Sequence, residues 1–196
     1  MSTAGKLSAW EVHSTESAEL GAAFIHKAIL AQGCILKPPV IHADNGGAQK
    51  GYTIKAKMDA LGVTKSYSRP RVSNDNPLSE SLFRTCKYRP DYPGKPFESI
   101  EGSRRWVASF VRWYNYEHLH SGIRFVTPED RHTGRDKDIL ENRDRIYREA
   151  KQKCPKRWSG DTRNWEPKGP VWLNPPKTES DSKGSEHFPD GFRQTG

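Results

Sequence analysis

The chain has 196 residues, about one ordinary domain. Only 33% are hydrophobic, and no run approaches the ~18 apolar residues of a membrane helix, which excludes a span and any membrane partner. The net charge is +8 but uneven: residues 45–176 hold 26 basic and 16 acidic side chains, net +10, while residues 1–44 and 177–196 are each net −1. A basic middle suggests a polyanionic partner, with a solvated basic surface as the plain alternative. Cys34, Cys86 and Cys154 are odd in number and far apart, which excludes a disulfide framework and a CxxC metal knuckle. No secretory h-region follows Met1–Lys6, so a cytoplasmic protein is expected.

In chain order, Leu7–Val12 reads as a short strand with roughly alternating apolar residues. Ser14 or Thr15 caps a helix that runs to about Gln32 and stops at Gly33. Pro38–Ala43 is a second strand, running into the turn cluster Asp44-Asn45-Gly46-Gly47. Tyr52–Leu61 is a short helix ended by Gly62, and Val63–Ser66 a third strand. Asn76 caps, and Pro77 opens, a helix that continues to about Tyr88. Ser99–His118 is the clearest helix, with Trp106, Val107, Phe110, Val111, Trp113 and Tyr114 at i, i+3, i+4 and i+7. Thr127-Pro128 opens a turn or short helix, and Asp138–Gln152 is a charged helix with Ile139, Ile146 and Tyr147 as its apolar face. Residues 158–176 are rich in Trp, Pro and Gly, and residues 177–196 have the composition of a disordered tail. Strands alternating with helices indicate an α/β fold.

Two carboxylates stand out. Asp44 follows a strand, at the kind of carboxyl end where open α/β sheets place functional groups, with Gly46 and Gly47 leaving room for a ligand. The plain reading is an Asp that caps the turn. Glu80 lies in the first turn of the helix NPLSESLFRTCKY, with Arg84 and Lys87 at i+4 and i+7 on its face. That set is either a helix ion pair or a carboxylate that holds Mg²⁺ beside cations that bind phosphate.

Thirty-five residues separate Asp44 from Glu80. This spacing, with HADNG around the first and SRP…SNDNPLSESLFRTCKY around the second, resembles the integrase catalytic core of insertion-sequence transposases. The likeness continues through FESIEGSRRWVASFVRWYNYEHLHSGIRFVTPEDRH and RWSGDTRNWEPKGPVWLNPP, so it covers about residues 7–176. It implies a ribonuclease H-like core at 7–130, a helical and Trp/Pro-rich extension at 131–176 and a tail at 177–196.

The resemblance further implies DNA strand cleavage and transfer, with DNA as partner. Three carboxylates, Asp-Asp-Glu, would hold two Mg²⁺ or Mn²⁺ ions, one activating the nucleophile and one stabilising the leaving oxygen. Asp44 matches the second carboxylate and Glu80 the third; Lys87 matches a basic DNA contact, with Arg84 beside it, and Asn76 fits a DN pair before the Glu. His118 and His120 are expected to hydrogen-bond near DNA, although the family often carries Arg near 118 or 119, where this chain has His118-Leu119. No Asp precedes Asp44, and Glu11, Glu16 and Glu19 match no catalytic position.

The expectation is therefore a core lacking its first two strands, inactive alone, with Val40–Ala43 as an exposed edge and homo-oligomers or mixed assemblies with intact transposase as partners. A non-catalytic DNA-binding remnant or inhibitor is the rival reading, and a metal-dependent nuclease of the same fold a weaker one. Other residues carry plainer expectations. His42, His118 and His120 invite zinc, but no Cys is near. The Trp106–Tyr114 stripe is core rather than a base-stacking platform. Trp158, Trp165 and Trp172 lie among Lys156, Arg157, Arg163 and Lys168, and pack across the domain rather than touch DNA.

Overall fold

The computed structural model describes residues 5–43, 51–68 and 77–169. It is a mixed helix–strand structure with one two-stranded parallel sheet. Helix α1 is Ala18–Ala31. Its cap is Ser17, whose hydroxyl accepts from the Leu20 amide at 3.1 Å, three residues later than Ser14. Gly33 at φ 64° ends it, which lets the Cys34 amide reach the Ile29 carbonyl at 3.0 Å.

Strand β1 is Val40–Ala43, helix α2 is Tyr52–Ala60 and strand β2 is Thr64–Tyr67. The strands pair in parallel, with His42 opposite Ser66, and α2 makes the crossover between them. Helix α1 packs on α2 at Gly21, where a Cβ would come within 2.9 Å of the Ile54 side chain. Glycine is what allows the two helices to approach so closely. Ala22, Ile29, Ile54, Met58 and Val63 form the first core, flanked by Ile25, Ile41 and Leu61.

The sequence suggests a strand at Leu7–Val12, and the structure corrects it. That segment is extended but pairs with no strand among the described residues. Side chains hold it instead. Asn115 accepts from the Leu7 amide at 2.9 Å and donates to the Leu7 carbonyl at 3.0 Å. Gln32 donates to the Ser8 carbonyl, Arg104 donates twice to the Val12 carbonyl, and Lys6 pairs with Glu129 at 2.6 Å. Its apolar alternation is met by packing over a cleft of about 690 Å³ between α1 and the two helices described next.

Helix α3 is Pro77–Lys87 and helix α4 is Ile100–Tyr116. Ser99 caps α4, accepting from the Gly102 amide at 3.0 Å. The apolar stripe of α4 is core, as its period suggests: Phe110 and Tyr114 are buried, and Trp106 stacks on Phe110 at 5.5 Å.

Helix α5 is Pro128–Thr133 and helix α6 is Asp136–Lys153. Thr127 caps α5 by accepting from the Asp130 amide at 3.1 Å, with Pro128 at its first position. The apolar face expected for α6 is only partly right. Ile146 and Tyr147 are exposed, and the buried residue is Leu140, which joins Val126 and Trp165 in a second core. That core exists because residues 158–169 fold back along α6, with Trp165 buried and Tyr147 edge-on to it at 5.2 Å. The packing expected of Trp165 is thus observed. Among the described residues no helix is long and apolar enough to cross a membrane.

Candidate nucleic-acid and metal site

The first turn of α3 carries Glu80, exposed on the surface. Arg84 and Lys87 follow on the same face, also exposed, with the Arg84 guanidinium 5.7 Å from the centre of the Tyr88 ring. One carboxylate and two cations are therefore presented together to solvent, as the sequence suggests. Asp44 and Asn76, the other carboxylate and the cap, lie outside the described residues.

The end of β1 leads towards Asp44, and its last residues are tied to β2. The His42 ring sits between two hydroxyls, with Nδ1 3.0 Å from Ser66 Oγ and Nε2 3.3 Å from Ser68 Oγ. The Ser68 amide adds a bond to the Ala43 carbonyl at 3.1 Å. His42 is a zinc candidate by residue type alone; its observed role is to fasten the carboxyl ends of the two strands. The sequence holds the signal for this only in retrospect, as a His opposite alternate serines on the neighbouring strand.

His118 and His120 sit where α4 ends. His118 lies 4.8 Å from Trp113 and 5.5 Å from Tyr114, ring centre to ring centre. His120 Nδ1 accepts from the Gly122 amide at 3.0 Å. Burial pushes both imidazoles below the usual histidine range, with the His118–His120 proximity adding to the shift at His118. They are thus half-buried members of an aromatic cluster, a structural role that sequence reasoning does not reveal. Arg89 completes it: its guanidinium lies 4.7 Å from the Trp113 ring centre and pairs with Asp91 at 2.6 Å. The cluster thereby joins the chain leaving α3 to the end of α4.

One more feature escapes the sequence. Arg124 and Phe125 are consecutive non-glycine residues in the left-handed region, at φ 66° and 60°. Such residues cost about 1–3 kcal/mol each and persist where the surroundings impose them. Here the Arg143 Nη1 donates to both of their carbonyls, at 3.0 and 2.8 Å.

Comparison with known proteins bears on these residues directly. Residues 61–128 match the integrase core domain family model, a span that includes Glu80, Arg84, Lys87, His118 and His120. The chain is 28% identical over 129 residues to a Mycobacterium tuberculosis protein named as a transposase for insertion sequence element IS986/IS6110, covering 64% of this chain and 46% of that protein. A Haemophilus influenzae protein described as transposase-like is 26% identical over 90 residues, 46% of this chain and 41% of that one. The chain thus spans less than half the length of these relatives. Among solved structures, an overlap with a chain of the simian T-cell lymphotropic virus intasome in complex with PP2A regulatory subunit B56 gamma has a TM-score of 0.45 at 18% identity, over 61% of this chain and 41% of that one. These matches support the resemblance read from the sequence: residues 61–128 are similar to the integrase core domain, and the chain is similar to insertion-sequence transposases.

Proposed function

We propose that this chain is part of the DNA strand-cleavage and strand-transfer machinery of a transposase, with a ribonuclease H-like core at 7–130 and DNA as its partner. The observation that carries the reading is the exposed Glu80–Arg84–Lys87 face of α3 inside the segment that matches the integrase core domain. A carboxylate with cations one and two turns away suits a phosphodiester, since the cations neutralise phosphate oxygens on either side of the reacting one.

Asp44 and Glu80 offer only hard oxygen donors, the set that Mg²⁺ and Mn²⁺ take, so on donor chemistry the residues fit the ions expected. When bound, such ions activate a water or 3′-hydroxyl nucleophile and stabilise the leaving oxygen of an in-line displacement. The chain's own contribution is positional. Lys87 and Arg84 hold the DNA backbone, His42 fixes the strand end that leads to Asp44, and the His118–Trp113–Arg89 cluster sets where α3 leaves the core. His118, His120 and Asn76 remain DNA contacts in this proposal. The earliest Asp in the sequence is Asp44, so these residues supply two of the three carboxylates, and the chain by itself cleaves little or no DNA.

Titrating the whole chain with a labelled duplex across a salt series, with and without Mn²⁺, tests this. Affinity should fall steeply with salt, Lys87→Ala should reduce the slope by about 0.9, and Glu80→Gln should remove Mn²⁺ binding seen by calorimetry. Salt-independent binding, or Mn²⁺ binding untouched by Glu80→Gln, would overturn the reading. Mn²⁺-dependent nicking by the chain alone, lost in Glu80→Gln, would overturn its inactivity.

A further inference from the structure

The cations around α5 and α6 differ in what they bind. Five face a carboxylate: Arg131 with Asp136 at 2.5 Å, Arg135 with Asp130 at 3.0 Å, Arg145 with Glu149 at 2.6 Å, Arg148 with Asp144 at 2.7 Å and Lys151 with Asp161 at 3.1 Å. Arg124, Arg143 and Arg163 make no ion pair among the described residues. They bind backbone carbonyls and aromatic faces instead: Arg124 donates to the Glu166 carbonyl at 3.4 Å, and Arg143 to the carbonyls of 124 and 125. Arg163 lies 5.1 Å from the Phe125 ring centre and 5.7 Å from that of Trp165, and Arg143 lies 5.5 Å from Trp165.

The result is a ladder that alternates ring and cation, Phe125–Arg163–Trp165–Arg143. Its inner ring is buried, while Phe125 at its outer end is 37% exposed. The left-handed backbone at 124–125 sets that ring outside the second core. Core packing does not require such a placement, and an apolar ring at a strained position would be better replaced by glycine.

We propose that Phe125 and Arg163, with Arg124 and Arg143 behind them, form a binding surface for unpaired nucleotides of a DNA strand. A guanidinium plane beside an exposed ring is what a splayed base stacks on, and guanidinium groups that make no ion pair among the described residues suit the phosphates that flank it. A duplex keeps its base faces stacked inside and presents no such group. The surface deepens the proposed DNA function and rests on it: strand cleavage and transfer create strand ends, and this site would hold one away from α3.

The test measures binding of the full chain to a labelled oligothymidylate and to a labelled duplex, each across a salt series. Phe125→Gly relaxes the backbone, so it should fold, with circular dichroism and melting as checks. It should weaken oligothymidylate binding about fivefold or more with the salt slope unchanged, and alter duplex binding less than about twofold. Phe125→Tyr should retain binding. Arg163→Gln should weaken single-strand binding and lower its slope by about 0.7. Equal oligothymidylate affinity in Phe125→Gly and the parent, equal losses on both probes, or competition by polyglutamate as strong as by unlabelled oligothymidylate would each overturn the proposal. If the parent chain binds DNA but these variants do not matter, only this surface falls; if it binds no DNA, the proposed function falls too.

Discussion

The two cores of this molecule are held together by different means. Around β1 and β2 the work is done by helix packing: Ala22, Ile29, Ile54 and Met58 come from α1 and α2, and Val63 from the residue before β2. Around α5 and α6 the apolar cluster is only Val126, Leu140 and Trp165, and charged groups complete it. Asp136, 1% exposed, pairs with Arg131, which also donates to the Lys168 carbonyl. Among the described residues the first region has a two-stranded sheet, and its two helices supply most of the buried side chains. The second can turn a Trp-rich, period-free stretch into structure because side chains bind that stretch's backbone directly.

The second region is most vulnerable at Asp136. Asp136→Ala leaves a buried guanidinium without its carboxylate and should cost about 3–5 kcal/mol, read as the shift in urea midpoint. Met58→Ala opens a cavity in the first core and should cost about 2–5 kcal/mol, with loss of the α1–α2 packing visible in amide exchange. If the two cores are separately held, the double variant should show additive losses.

Asn115→Ala should be milder, about 1–3 kcal/mol, because it strips both hydrogen bonds from Leu7. Its signature is local: amides of residues 5–13 should exchange faster while those of α6 do not. The smallest effect should be that of pH. Burial holds His118 and His120 below the ordinary value of about 6.5, so the unfolded chain binds protons there first. Stability is complete above that value and is lost as pH falls through it towards the lowered folded-state values. A melting temperature that rises on acidification from about pH 7.5 to about pH 5.5 would contradict this sign.

Much of this was legible in the sequence, and the misses have physical reasons. The period of α4 survives because its stripe faces a single core, and Ser99, Thr127 and Pro128 announce their helices by capping chemistry that is local. Leu7–Val12 misled because alternation reports a half-buried extended chain, whether or not a strand lies beside it. Leu140 was missed because its partners, Val126 and Trp165, are distant in sequence. Glu80, Arg84 and Lys87 were readable because one helix carries all three. The Arg124–Phe125 conformation leaves no signal, since neither residue type favours the left-handed region. Asp44 and Asn76 lie outside the described residues, so their places rest on the resemblance.

The Asn115 clamp has a consequence for how the chain is kept in phase. Its side-chain amide offers a donor and an acceptor to one residue, Leu7, much as a neighbouring peptide would. That grip indexes the whole extended segment. One residue inserted between Leu7 and Val12 would reverse which side chains face the cleft, and the Lys6–Glu129 and Arg104–Val12 contacts at its two ends could no longer be made together. The same insertion before Lys6 would leave the index untouched.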